Sequence, residues 1–165
     1  MKRTPAAVIP IPLDRLRKSH ARQPGEETSR RAPAHPIAVL VVDQAAGGRK
    51  RVCSAGRRAS AESQWIECAD AETASRQLAF SEIDLVVADS QSIRDSLRGW
   101  TDGAAAGSGR PAPPVVVLSD DEPQGIQQLL DAGAECCLPK RLPQRLLETE
   151  LCRLVAQTRA KAGLS

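Results

Sequence analysis

The chain has 165 residues, 41% of them hydrophobic and 26% charged, which suits one soluble domain with its own core. It holds no run of about 18 apolar residues, so no membrane-spanning helix is expected. Aromatic residues are only 2% and tyrosine is absent, which removes the usual stacking platforms for single-stranded nucleic acid.

The net charge of +3 is uneven: residues 1–35 carry eight Lys/Arg against three Asp/Glu, and the remainder fifteen against seventeen. Residues 1–35 are rich in Pro, Arg, Ser and Glu, with few apolar side chains after Leu16. Such a composition cannot offset the entropy of ordering, so a disordered basic N-terminal arm is expected over 1–35. Three prolines interrupt its short apolar opening. That opening is therefore not read as a signal peptide, and a cytoplasmic location is expected. Residues 8–17 (VIPIPLDRLR) are similar to an opening phrase of ParB-type partition proteins, over fewer than twenty residues and with no other part of that family following.

From Pro36 onward the rhythm changes. Residues 37–42 (IAVLVV) form a continuous apolar run ending in Asp43, the pattern of a strand buried on both faces. Residues 47–58 are polar and basic and read as a helix. Residues 65–69 read as a second strand, and residues 71–80 as a helix capped by Asp70. Residues 85–88 (LVVA) are another buried strand, ending in Asp89. A helix is expected over 92–100, then a Gly/Ala/Ser/Pro-rich loop to Pro114. Residues 115–118 (VVVL) lead to Ser119. Asp120 or Asp121 is the expected cap of the next helix, with Ile126, Leu129 and Leu130 on one face and Gly133 as its stop. Residues 136–138 are the last strand, followed by Lys140. The final helix opens near Pro143, with Leu142, Leu146, Leu147, Leu151, Leu154 and Val155 as its apolar stripe.

Strands alternating with helices imply right-handed crossovers and a parallel sheet. The expected fold is α/β: a flavodoxin-like (βα)5 doubly wound sheet of strand order 2-1-3-4-5 over residues 36–160, with a disordered tail at 161–165. Five cysteines without C-x-x-C spacing suggest neither a disulfide framework nor a zinc site, and core filling in a reducing compartment accounts for them. His20 and His35 both lie in the arm, too isolated to share a metal.

In such a sheet the functional crevice lies beyond the carboxyl ends of the strands, where Asp43, Asp89, Ser119 and Lys140 fall. Two carboxylates suit a hard divalent cation such as Mg2+. A carboxylate is also a nucleophile toward phosphorus, and a hydroxyl and an ammonium beside it suit phosphoryl oxygens.

This set resembles the receiver domain of two-component response regulators over residues 37 to about 158. Residues 39–43 (VLVVD) are similar to the family's "LVVDD" phrase and residues 84–89 (DLVVAD) to its "DLVLLD" phrase. Residues 115–119 (VVVLS) match the strand ending in Thr or Ser, and residues 133–140 (GAECCLPK) are similar to "GADDYLTK". The resemblance implies Asp89 as phosphoacceptor, with Ser119 and Lys140 holding phosphoryl oxygens and Asp43 and Asp89 sharing Mg2+. It implies a histidine kinase or phosphotransferase as donor, a surface change around the last two strands as the signal, and no enzyme activity of the ordinary kind. Nucleic acid and membrane are not expected partners.

The chain departs from the family pattern in four places. Gln44 replaces the second acid of the first phrase, which weakens the site for Mg2+ because an amide brings no charge. Asp89 is followed by Ser90, Gln91 and Ser92 without the usual proline and Asp-Gly turn. Arg141 stands where a proline commonly follows the lysine, and Cys137 where an aromatic switch residue sits. A second expectation follows from these departures: a phosphorylation-independent pseudo-receiver that acts as a protein-binding module.

Overall fold

Three apolar runs make the centre of the sheet. β1 (Ala38–Val42), β3 (Leu85–Asp89) and β4 (Val115–Ser119) are buried along their whole length, as strands covered on both faces must be. β2 (Gln64–Cys68) and β5 (Cys136–Pro139) flank them. All pairings are parallel and the order is β2-β1-β3-β4-β5, as the sequence predicts. The computed structural model describes residues 35–103 and 109–163. The readings made for residues 1–34 and 104–108 lie outside the described residues.

Alternation along each strand divides the core in two. Val39, Val41, Leu85, Val87, Val116 and Leu118 face one layer, made of α1 (Ala46–Ala59) and α6 (Gln144–Gly163). Leu40, Val42, Val86, Ala88, Val115 and Val117 face the other. That second layer holds α2 (Ala71–Phe80), the short helices α3 (Ser90–Ile93) and α4 (Leu97–Thr101), and α5 (Pro123–Asp131).

Asp70 caps α2 as expected, accepting the Thr73 N–H at 2.7 Å and its hydroxyl at 3.0 Å. Gly133 adopts φ 104° just beyond α5, a conformation open to glycine at little cost.

Other expectations need correction. The single helix at 92–100 is two short ones, because Asp89 starts a helical turn at Ser90 and the chain turns again at residues 94–96. The N-cap of α5 is Glu122, with Pro123 opening the helix; Asp120 and Asp121 are engaged elsewhere. Leu130 and Leu146 are exposed, so the buried stripes are narrower than their spacing suggests. α6 runs to Gly163, so residues 161–163 are helical rather than a tail. Cys53 and Cys68 are buried and Cys136 and Cys137 half-buried, but Cys152 is exposed. Burial pushes the Cys53 thiol up to about 11, keeping it protonated at neutral pH. No helix among the described residues is long and apolar enough to cross a membrane.

Candidate functional site

The strand order brings the four sequence-predicted residues to one edge of the sheet. Asp43 follows β1, Asp89 ends β3, Ser119 ends β4 and Lys140 follows β5. Register places Asp89 opposite Leu118, and Ser119 opposite Pro139.

Asp89 is the buried centre of the group. Its Oδ1 makes an ion pair with the Lys140 ammonium, whose side chain remains about one-quarter exposed. Its Oδ2 accepts the Gln91 and Ser92 N–H groups at 3.1 and 3.2 Å, and the Ser92 hydroxyl at 3.2 Å. The carboxylate therefore also caps α3, which begins at the next residue. Ser92 Oγ in turn accepts the Gln44 N–H at 3.0 Å, so the loops after β1 and β3 are tied together.

Asp43 is half-buried and rests directly over Gly48 of α1: a Cβ on that glycine would fall 1.9 Å from Asp43 Oδ2. Its Oδ1 accepts the Ala45 N–H at 2.8 Å. Burial raises the Asp43 carboxyl above its ordinary range against the pull of that N–H. The Asp89 charge raises it further, and Lys140 and Arg49 oppose the rise. Arg49 spans the carbonyls of Asp43 and Gln44 at 2.7 and 3.2 Å.

Ser119 does not meet Asp89 or Lys140 through its hydroxyl. Its Oγ donates to Asp121 Oδ2 at 2.7 Å and accepts the Asp121 N–H at 3.0 Å. Arg94 pairs with the same carboxylate oxygen at 2.6 Å. The Ser119 bond, then the Arg94 charge, hold Asp121 below the usual carboxylate range. Asp120 accepts the Lys140 N–H at 3.1 Å. The sequence reading missed Ser92, Asp121, Arg49 and Asp120. Asp120 and Asp121 had been noticed only as possible caps, and nothing in their spacing indicates these partners.

The donor set fits one hard dication of the Mg2+ kind. Two carboxylates, Asp43 and Asp89, lie close enough for their charges to interact, and Mg2+ takes one or two carboxylates and keeps several waters. Among the described residues no group of three or more His, Cys, Asp or Glu gathers, so the site lacks a third acid. Gln44 is exposed and contributes through its backbone.

Comparison with solved structures identifies the architecture. The chain aligns with the signal receiver domain of the response regulator NarL from Mycobacterium tuberculosis at TM-score 0.60 and 21% identity, covering 76% of this chain and 98% of that one. It aligns with a chemotaxis response regulator of Vibrio cholerae at TM-score 0.60 and 18% identity, over 72% and 98% of the two chains. The chain has the receiver-domain fold. A third receiver domain, from a Saccharomyces cerevisiae response regulator crystallised with a histidine phosphotransfer signalling protein, aligns at TM-score 0.62 and 15% identity over 75% and 92%. No family model matches the sequence, and no curated protein matches it. Within the receiver-domain fold, Asp43, Asp89 and Lys140 stand together at the strand ends, and Ser119 stands beside them with its hydroxyl turned to Asp121.

Proposed function

We propose that the chain is a receiver module of a two-component phosphorelay, a signalling domain that accepts a phosphoryl group on Asp89. The observation that carries this reading is the pairing of a buried carboxylate with a lysine from another strand end, beside a second acid. Asp89 Oδ1 attacks phosphorus in line, the bond from phosphorus to the donor nitrogen or oxygen breaks, and an acyl phosphate forms. The Lys140 ammonium passes from the carboxylate to the phosphoryl oxygens it already faces. Ser119 exchanges its bond to Asp121 for one to a phosphoryl oxygen. Mg2+, held by Asp43 and Asp89, would neutralise charge on the transferring group, weakly because Gln44 adds none. The yeast neighbour was crystallised with a histidine phosphotransfer protein, which supports a histidine kinase or phosphotransferase as the donor here.

A second reading rests on a different observation. Asp89 Oδ2 is occupied by three donors that cap α3, and Gln44 stands in place of an acid. Those features favour a pseudo-receiver that binds a protein partner without phosphorylation.

Intact mass after incubation with acetyl phosphate and Mg2+, beside Asp89→Asn, separates the two. One added phosphoryl group, absent from the variant, is the result expected of a receiver. An unchanged mass with no Mg2+ binding would leave the pseudo-receiver.

A further inference from the structure

Lys140 meets Asp89 only while the turn between β5 and α6 keeps one conformation, and the turn's own side chains do little to hold it. Pro139 and Pro143 flank the turn. Arg141 at its centre has a side chain 93% exposed, and its 3.5 Å contact with Asp120 is the kind of surface pair that adds little. The grip comes from another element. Arg51 of α1 reaches the turn with its guanidinium, Nη1 donating to the Lys140 carbonyl and Nη2 to the Leu142 carbonyl. The two carbonyls bracket Arg141, and a planar fork that bonds both fixes their separation and direction. Val52 and Cys53, next along α1, are buried against the sheet, so the arginine stands on a rigid base. On the opposite side of Lys140, its N–H is held by Asp120 at 3.1 Å and the Ser119 carbonyl at 3.3 Å.

We propose that Arg51 is a positioning residue that sets the Lys140 ammonium against Asp89 by clamping the carbonyls of Lys140 and Leu142. Arg49, two residues earlier on the same helix, grips the carbonyls of Asp43 and Gln44 in the same manner. The first turns of α1 thus hold the β1 and β5 sides of the site at once. This inference deepens the receiver reading, because Lys140 serves that reaction, but the clamp itself is a property of the resting fold.

The test compares the full chain with Arg51→Met, which keeps the apolar stem without donors, and Arg51→Lys, which keeps the charge without the fork. Two readouts are taken on variants whose thermal unfolding remains cooperative. The first is the 15N-edited ammonium signal of Lys140 at slightly acidic pH, assigned by its loss in Lys140→Met. Arg51→Met is expected to lose that signal to solvent exchange, and Arg51→Lys to recover part of it. The second is the maximal rate of Asp89 phosphorylation by acetyl phosphate, expected to fall about tenfold in Arg51→Met, since small displacements of a reacting group carry large rate effects. A folded Arg51→Met with the parent's Lys140 signal, or with a rate within about twofold of the parent's, would overturn the proposal. Should Arg51→Met not fold, Arg51→Lys is judged by the same two criteria. If the parent chain takes no phosphoryl group, the receiver reading fails, and the Lys140 signal alone then decides the clamp.

Discussion

Ser92 donates its hydroxyl to Asp89 Oδ2 at 3.2 Å, and the same serine oxygen accepts the Gln44 N–H at 3.0 Å. One short side chain thus joins the end of β3 to the loop that carries Asp43. Both Ser92 and Asp89 are buried, so each polar atom here needs its partner. The link makes the carboxylate at once a helix cap, a lysine partner and part of an inter-loop bridge.

Ser92→Ala should therefore cost more than a surface serine would. It leaves the Gln44 N–H without its acceptor and removes one of three donors to Asp89 Oδ2. A loss of about 1–2 kcal/mol is expected in urea unfolding, with an unchanged m-value. A change within about 0.3 kcal/mol would mean that water replaces the hydroxyl at no cost.

Gly47 and Gly48 are adjacent in α1 and should respond oppositely to alanine. A Cβ at Gly47 meets nothing within 4 Å, so Gly47→Ala gains helix propensity, roughly 0.5–1 kcal/mol. A Cβ at Gly48 would fall 1.9 Å from Asp43 Oδ2 and 2.8 Å from its Cγ. Gly48→Ala must move that carboxylate, and Mg2+ affinity by titration should fall at least severalfold while Gly47→Ala leaves it unchanged. Equal affinities in the two variants would show that Asp43 is not a metal ligand.

Much of this architecture is legible in the sequence, for a physical reason. Residues 37–42, 85–88 and 115–118 are apolar without interruption, and in a chain that alternates strand and helix such runs fit only the middle of a parallel sheet. The acids, hydroxyl and lysine that end them then fall at one edge by topology alone. What stays hidden depends on partners far apart in sequence. Arg51 meets Lys140 across 89 positions, and Arg94 meets Asp121 across 27. The break between α3 and α4 is hidden for a related reason, since Asp89 is read as a strand end and its second role as a cap appears only in three dimensions. Leu146 fits the helical spacing of a core residue, yet α6 turns it to solvent at 52% exposure.

The cap of α2 gives a pH dependence with a definite sign. The Thr73 N–H, then the Thr73 hydroxyl, lower the Asp70 carboxyl below its ordinary value of 3.8. A lowered folded-state pKa contributes stability above the unfolded-state value, which is lost as pH falls through the folded one. Asp70→Asn keeps an acceptor but loses the charge at the helix N-terminus. The variant should be less stable than the parent at pH 7, and the gap should close as the pH drops below the ordinary carboxylate range. Urea midpoints measured at both ends check this; a gap that persists in acid would assign the effect to geometry rather than charge.

The last prediction concerns what restrains Ser119. Its hydroxyl is engaged on both sides by Asp121, whose carboxylate Arg94 also holds. For Ser119 to bind a phosphoryl oxygen on Asp89, that pair of bonds has to break. Asp121→Ala removes the competitor and should shift the balance toward the phosphorylated form. The bond involves a charged acceptor, but Asp121 lies near solvent, so a shift of roughly 1 kcal/mol is the reasonable scale. That corresponds to about a fivefold rise in the phosphorylated-to-free ratio at subsaturating acetyl phosphate. The gain should vanish in a Ser119→Ala background, because the two residues act through one bond. Intact mass spectrometry on the four chains measures both quantities. A gain that survives the loss of the Ser119 hydroxyl would instead trace to the removal of a negative charge near Asp89.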